Sequence, residues 1–131
     1  MSHEPISAEL EKIGREIVDS AYRVHKELGP GLLEAVYEEC MVYDLRRKGL
    51  RVQDQVFLPI EFNGELLTRN KLRIDLLVED EVIVENKAVV EMHPLFQSQL
   101  LTYLKISKKR LGYLINYNVP LIKNGIKRMV V

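Results

Sequence analysis

The stretch Lys71–Val90, "KLRIDLLVEDEVIVENKAVV", decides the fold. Two apolar, β-branched runs flank the acidic triplet Glu79–Glu81, which predicts an antiparallel hairpin with a three-residue loop. In the register that pairs the apolar residues, Asp75 lies directly opposite Glu85, with β-carbons about 4.5–5.5 Å apart. Lys87 lies two residues beyond Glu85 and projects from the same face. The other face is expected to be core and carries Leu72, Ile74, Leu76, Val78, Val82, Val84 and Ala88.

Opposed carboxylates destabilise a sheet, so a compensating cation is expected beside Asp75 and Glu85. Mg²⁺ prefers carboxylate oxygens, backbone carbonyls and water. A nearby lysine can orient or deprotonate the attacking water and balance the charge that develops on a phosphate. This face therefore has the parts for metal-assisted phosphodiester hydrolysis. The alternative is a solvated face on which Arg73, Asp75, Glu85 and Lys87 form exposed ion pairs, each worth about 0–1 kcal/mol.

Two helices are predicted before the hairpin. Apolar residues at spacings of three and four follow Ser7, a good N-cap, and this pattern ends at Gly29-Pro30-Gly31. A second helix is predicted from about Leu32 to Lys48. Glu34 lies in its first turn, within Gly31-x-x-Glu34-x-x-Tyr37. The simplest interpretation is a helix-terminal charge before a core face, and the other is that Glu34 points into a site formed elsewhere.

After Gly49, apolar and polar residues alternate in the manner typical of β-strands. Asn63-Gly64 predicts a tight hairpin turn, and four strands are expected between Gly49 and Pro94. Pro94 opens a helix through about Ile106, in which Gln99 and Tyr103 share one face. Two final strands complete the order α-α-β-β-β-β-α-β-β, a single α/β domain over residues 1–131.

Composition points to an ordinary globular protein, with 47% apolar and 29% charged residues. No apolar run approaches the roughly 18–20 residues that span a membrane, and no signal peptide is recognisable. The single cysteine, Cys40, fits a reducing cytosol, so a cytoplasmic location without membrane contact is expected. Net charge is zero, but residues 100–131 contain seven basic residues and no acid. This segment is either a phosphate-binding edge or a solvated surface.

Together, Asp75, Glu85-Asn86-Lys87 and Gln99-x-x-x-Tyr103 resemble the PD-(D/E)XK nuclease superfamily. The glutamine–tyrosine helix is similar to that of its RecB-type branch. Gly31-x-x-Glu34-x-x-Tyr37 matches the signature of a small family within it, the GxxExxY proteins. The similarity extends over roughly residues 10–129.

The resemblance implies a restriction-endonuclease-like core, in which a central mixed sheet is flanked by helices. It implies a DNA nuclease that uses Mg²⁺ or Mn²⁺. By analogy with small junction-resolving enzymes, a homodimer would supply additional DNA-contact surface. The implied metal ligands are Glu34, Asp75, Glu85 and the backbone carbonyl of Asn86. Lys87 would position the attacking water, Gln99 would orient Lys87 or the DNA, and Tyr103 would support Lys87 or contact a phosphate. At most, His25 and Tyr37 would touch the ligand residues.

Two positions depart from the superfamily pattern. Ile74 stands where a proline is common, and Asn86 stands where an apolar residue is usual. Strand alternation directs Asn86 to the core, where it needs hydrogen-bond partners or costs about 1–3 kcal/mol. A non-catalytic domain that keeps this fold for nucleic-acid binding or protein assembly is the alternative function.

Overall fold

A five-stranded mixed sheet, with its strands in the order β1-β2-β3-β4-β5, lies between helices in a computed structural model that describes residues 4–131. The elements are α1 Ala8–Leu28, α2 Glu34–Arg47, β1 Val52–Phe62, β2 Glu65–Val78, β3 Val82–Lys87, α3 Pro94–Ser107, β4 Leu111–Asn116 and β5 Ile126–Val130. A short 3-10 helix, Ile122–Gly125, precedes β5. Strands β3 and β4 are parallel and α3 connects them, whereas the other neighbours are antiparallel. The predicted mixed sheet flanked by helices is confirmed.

The predicted number of strands before α3 is wrong. Three strands are present rather than four, because β2 runs unbroken for 14 residues from the Asn63-Gly64 turn. Both turn residues have positive φ, 57° and 80°, as a tight two-residue hairpin requires. Residues 68–71 of β2 lie opposite Pro59 alone, in a bulge between the pairs Leu58–Leu72 and Ile60–Leu67. This polar bulge resembles a turn in the sequence, but Pro59 has no N–H to pair and the strand continues through it.

The second helix also differs slightly from its prediction. It begins at Glu34 and ends at Arg47, because the chain stays extended through Leu33 (φ −67°, ψ 144°). Glu34 is therefore the first helical residue, where a negative charge is favourable.

Each face of the sheet has its own core. Helices α1 and α2 cover the face that includes Leu76 and Val84, and α3 covers the face that includes Leu77 and Ile83. Ile74 packs in the α3 core, so the prediction that it shares a face with Leu76 is wrong. The change of side occurs opposite Gln55, whose left-handed backbone (φ 53°) interrupts regular alternation.

The β1–β2 hairpin extends beyond the sheet. Strand β2 pairs with β3 only over Leu76–Val78, so the outer part of the hairpin has just two strands. We call the segment between Val56 and Ile74 the ribbon. No helix within residues 4–131 is long and apolar enough to cross a bilayer.

Candidate functional site

Two carboxylates hold β2 and β3 together where the sheet ladder ends. Glu85 Oε2 accepts a hydrogen bond of 2.7 Å from the Asp75 backbone N–H, and Asp75 Oδ2 accepts one of 2.9 Å from the Asn86 N–H. These side-chain bonds fix both carboxylates side by side. The predicted register is confirmed for the three pairs that precede them, Leu76–Val84, Leu77–Ile83 and Val78–Val82.

Both carboxylates are buried, with Asp75 4% and Glu85 5% exposed. The alternative of a solvated ion-paired face is therefore wrong, because both carboxylates lie in the interior of the protein. The nearest ion pair is weak, since the Arg73 guanidinium lies 4.0 Å from Asp75 Oδ1 and is mostly exposed. Burial, followed by the charge of Asp75, raises the pKa of Glu85 to about 8.

Glu34, the first residue of α2, lies within electrostatic reach of Asp75. It is half-buried, and burial followed by the charge of Asp75 raises its pKa, while Lys87 and Arg73 oppose the shift. Asp75 is thus the electrostatic neighbour of both Glu34 and Glu85. The three acids do not form a closed ligand cage, because residues 4–131 contain no group of three or more His, Cys, Asp or Glu side chains placed to hold a metal ion.

The glycine and tyrosine of the Gly31-x-x-Glu34-x-x-Tyr37 motif form the turn that positions Glu34. The Tyr37 hydroxyl donates to the Gly29 carbonyl at 2.6 Å and accepts from the Leu32 N–H at 3.0 Å. Gly31 has a φ of 100°, which a side chain would strain. Tyr37 therefore acts on the site through the backbone, by fixing where α2 begins.

We expect Tyr37→Phe to lower the free energy of unfolding by about 1–3 kcal/mol, because it leaves the bonded backbone groups of Gly29 and Leu32 without their partner. Urea denaturation measures this loss. Tyr117→Phe is the matched control, since Tyr117 is equally buried and its ring stacks on Tyr37 with centroids 4.5 Å apart. Among the described residues, the Tyr117 hydroxyl has one hydrogen-bond partner, Met41 Sδ at 3.8 Å. Equal losses in the two variants would contradict this role for the Tyr37 hydroxyl.

Lys87, at the end of β3, lies against an aromatic ring that the sequence analysis did not identify. Its Nζ is 4.4 Å from the ring centroid of Phe96, on the first turn of α3. A cation over a ring face at this distance is attracted by about 0.5–2 kcal/mol. Phe96 precedes Gln99 by three residues, and this helical spacing could have indicated it.

Helix α3 brings Tyr103 near the carboxylates. Burial, followed by the charges of Glu85 and Asp75, raises the pKa of its phenol. Gln99, one turn earlier, is exposed. The structure thus groups Tyr103 with the hairpin acids and leaves Gln99 on the solvent side of the helix.

The side chains of His25 and Asn116 anchor loops through hydrogen bonds to backbone groups. His25 Nε2 lies 2.8 Å from the Val119 carbonyl, beyond the end of β4. The Asn116 amide accepts from the Val89 N–H and donates to the Val89 carbonyl, both at 3.0 Å, and so anchors the segment that follows Lys87. Sequence analysis missed Asn116, because its partner is distant in the chain and no spacing signals it.

Asn86 is fully buried, as strand alternation predicted, and pairs in register with Ile115 of β4. Neither polar atom of its amide has a hydrogen-bond partner within residues 4–131. Its backbone N–H, in contrast, supports Asp75. The unpaired Asn86 amide therefore destabilises the fold, whereas the backbone N–H of the same residue stabilises the Asp75 carboxylate.

We expect Asn86→Val to raise the free energy of unfolding by about 1–3 kcal/mol, because valine removes the unpaired buried amide and suits a strand. Chemical denaturation measures the gain. Asn116→Val is the matched control and should lower stability, since both polar atoms of that amide are hydrogen-bonded. A loss of stability in Asn86→Val would show that its amide has a partner, such as buried water.

The donor set fits a hard divalent cation. Asp75 and Glu85 each commit one oxygen to a backbone N–H, and among the described residues the second oxygen of each accepts no hydrogen bond. Paired carboxylate oxygens are ligands that Mg²⁺ and Mn²⁺ accept.

No curated protein and no solved structure is significantly similar to the chain. The family model of the PD-(D/E)XK nuclease superfamily matches residues 11–129 and so includes the hairpin acids, Lys87 and α3. On this match, which covers nearly the whole length, the chain belongs to the PD-(D/E)XK nuclease superfamily.

Proposed function

We propose that the protein is a Mg²⁺- or Mn²⁺-dependent nuclease that hydrolyses phosphodiester bonds of DNA, and that it belongs to the GxxExxY branch of its superfamily. The observation that carries this proposal is the buried Asp75–Glu85 pair, with Glu34 within electrostatic reach of Asp75 and Lys87 within reach of Glu85. Superfamily membership supports nuclease chemistry, and the chain retains the acids and the lysine of that pattern.

In this proposal Glu34, Asp75, Glu85 and the Asn86 carbonyl hold the cation. When bound, the cation activates water and neutralises phosphate charge. The Asp75 and Glu85 carboxylates are already fixed by backbone hydrogen bonds, so little reorganisation is needed when the substrate arrives.

Lys87 follows Asn86 as the last residue of β3, and its ammonium lies within electrostatic reach of Glu85. It orients the attacking water and balances the charge that develops on the phosphate. Phe96 limits the positions of the Lys87 side chain. Tyr103, whose phenol is influenced by the charges of Glu85 and Asp75, would contact a phosphate oxygen, and the exposed Gln99 would contact the DNA.

A second candidate is a nucleic-acid-binding or assembly domain without catalysis. One observation favours it, which is that the three acids do not form a closed ligand cage within residues 4–131. In this case metal would bind weakly, and the Asp75 and Glu85 carboxylates would only stabilise the contact between β2 and β3.

Metal binding and cleavage separate the two candidates. We expect Mn²⁺ to bind the parent protein in calorimetry and Asp75→Asn to lose that binding, with cleavage of single-stranded, duplex or branched DNA lost in parallel. Asp80→Asn is the matched control, because Asp80 is an exposed residue in the loop of the same hairpin. Equal Mn²⁺ affinity in parent and Asp75→Asn would refute the metal site. A parent protein that cuts no DNA or RNA substrate would favour the binding domain.

We also propose a cytoplasmic homodimer. The single free cysteine, Cys40, supports a reducing compartment. A second copy would add contact surface to a chain of 131 residues. Sedimentation equilibrium tests the dimer, and a monomer at all concentrations would refute it.

A further inference from the structure

The ribbon presents an aromatic ring and a guanidinium directly beside the candidate site. Phe57 and Arg73 are paired across β1 and β2, so their side chains are neighbours on one face. Both are largely exposed, Phe57 by 60% and the Arg73 side chain by 56%. Arg73 reaches to within 4.0 Å of Asp75, so the pair lies at the mouth of the site.

The acids of the ribbon, Glu61 and Glu65, lie beside the turn at its tip, whereas its cations lie further along β2, towards the site. Arg69, Lys71 and Arg73 are all exposed, and no acidic residue occurs between Leu66 and Ile74. The buried acids, in contrast, begin immediately after, at Asp75. A polyanion entering the site would therefore meet cations on the ribbon first, although the chain as a whole has no net charge.

We propose that this face of the ribbon binds the nucleic-acid substrate as a strand with unpaired bases, with one base stacked on Phe57 and the adjoining phosphate on Arg73. The proposal rests on the proposed function, because it supplies the substrate class of the same site. Stacking platforms next to basic side chains are the usual means of holding single strands. A duplex already stacks its bases on one another and offers Phe57 no free base face.

A second copy of the chain is the other conceivable occupant, because the tip of the ribbon also exposes Phe62 and Leu66. Charge argues against it at Phe57, since two copies would bring Arg69, Lys71 and Arg73 towards their equivalents. The same cations attract a phosphate backbone. The observations at Phe57 thus favour a nucleic-acid strand.

The test measures binding of fluorescein-labelled single-stranded and duplex DNA by anisotropy, with Ca²⁺ in place of Mg²⁺ and strand integrity checked on gels. We expect Phe57→Ala to weaken single-strand binding about 5- to 150-fold and to change duplex binding less than about twofold. Arg73→Gln should reduce the salt dependence by about one phosphate contact. Phe62→Ala is the matched control, a phenylalanine of the same strand with 69% exposure, and should bind as the parent does.

Phe57→Trp provides a readout that a purely structural role would not change. The chain has no tryptophan, so residue 57 becomes a single fluorescent reporter in this variant. We expect it to retain single-strand affinity and its emission to be quenched as bases stack on the indole. Unchanged emission at saturation, or Phe57→Ala binding as tightly as the parent, would overturn the proposal. Equal losses for duplex and single strand would overturn the requirement for unpaired bases.

Sedimentation of the same variants assigns the occupant. Conversion of a dimer to a monomer by Phe57→Ala, with unchanged binding per chain, would assign the face to a second copy. If the parent cuts DNA but binding is independent of Phe57, only the ribbon proposal fails. If binding depends on Phe57 but no substrate is cut, only the proposed nuclease activity fails.

Discussion

Lys87→Ala is expected to lower metal-dependent DNA cleavage by about 10²- to 10³-fold while leaving Mn²⁺ affinity within about twofold of the parent. The expected loss of cleavage rate follows from removing one preorganised positive charge at the position where negative charge develops on the phosphate. Metal affinity should persist because Lys87 offers no oxygen ligand and Asp75 and Glu85 remain in place. Single-turnover cleavage together with calorimetry measures both quantities.

Two further variants sharpen this expectation. Lys105→Ala removes an exposed lysine from the last turn of α3 and should cut DNA at the parental rate. Lys87→Arg keeps the charge but spreads it over a planar group, so partial activity is expected. Cleavage by Lys87→Ala within about tenfold of the parent would contradict a direct role for the ammonium. Loss of Mn²⁺ binding in that variant would instead indicate damage to the carboxylate pair.

The hairpin register was predictable because local pairing decides it. A three-residue loop and three apolar pairs, from Val78–Val82 to Leu76–Val84, leave no equally good alternative, and they place Asp75 beside Glu85. The length of β2 was not predictable in the same way. Its four polar residues opposite Pro59 have the composition of a turn, and only the pairing on both sides shows that the strand continues.

The burial of the acids could not be derived from the strands alone. It depends on helices that pack against the sheet, among them α3, which folds back over Leu77 and Ile83. The Phe96–Lys87 contact has the same origin, since a helix must first be placed against the sheet. Tyr37 was predicted near the site, yet its hydrogen bonds to Gly29 and Leu32 show that it acts through a turn.

A metal-free protein should lose stability as pH rises from about 5 to above 8, and Glu85 should account for most of that loss. Burial and the charge of Asp75 raise the folded-state pKa of Glu85 to about 8, well above that of an ordinary glutamate. The folded protein therefore holds a proton that the unfolded chain releases near pH 4.5. This contribution is fully present below that value, declines as pH rises and is lost above pH 8, with a total of about 3–5 kcal/mol.

Glu85→Gln should remove this slope, because glutamine keeps the shape and a hydrogen-bond acceptor for the Asp75 N–H without a titrating group. Denaturation midpoints at several pH values measure the difference, and Glu81→Gln, at an exposed acid of the same hairpin, should retain the slope. Mn²⁺ should raise the parental melting temperature more at pH 8 than at pH 6, since the cation competes with the Glu85 proton. A parental slope that persists in Glu85→Gln would assign the titration to another group. Stabilisation by Mn²⁺ that is independent of pH would place the cation away from Glu85.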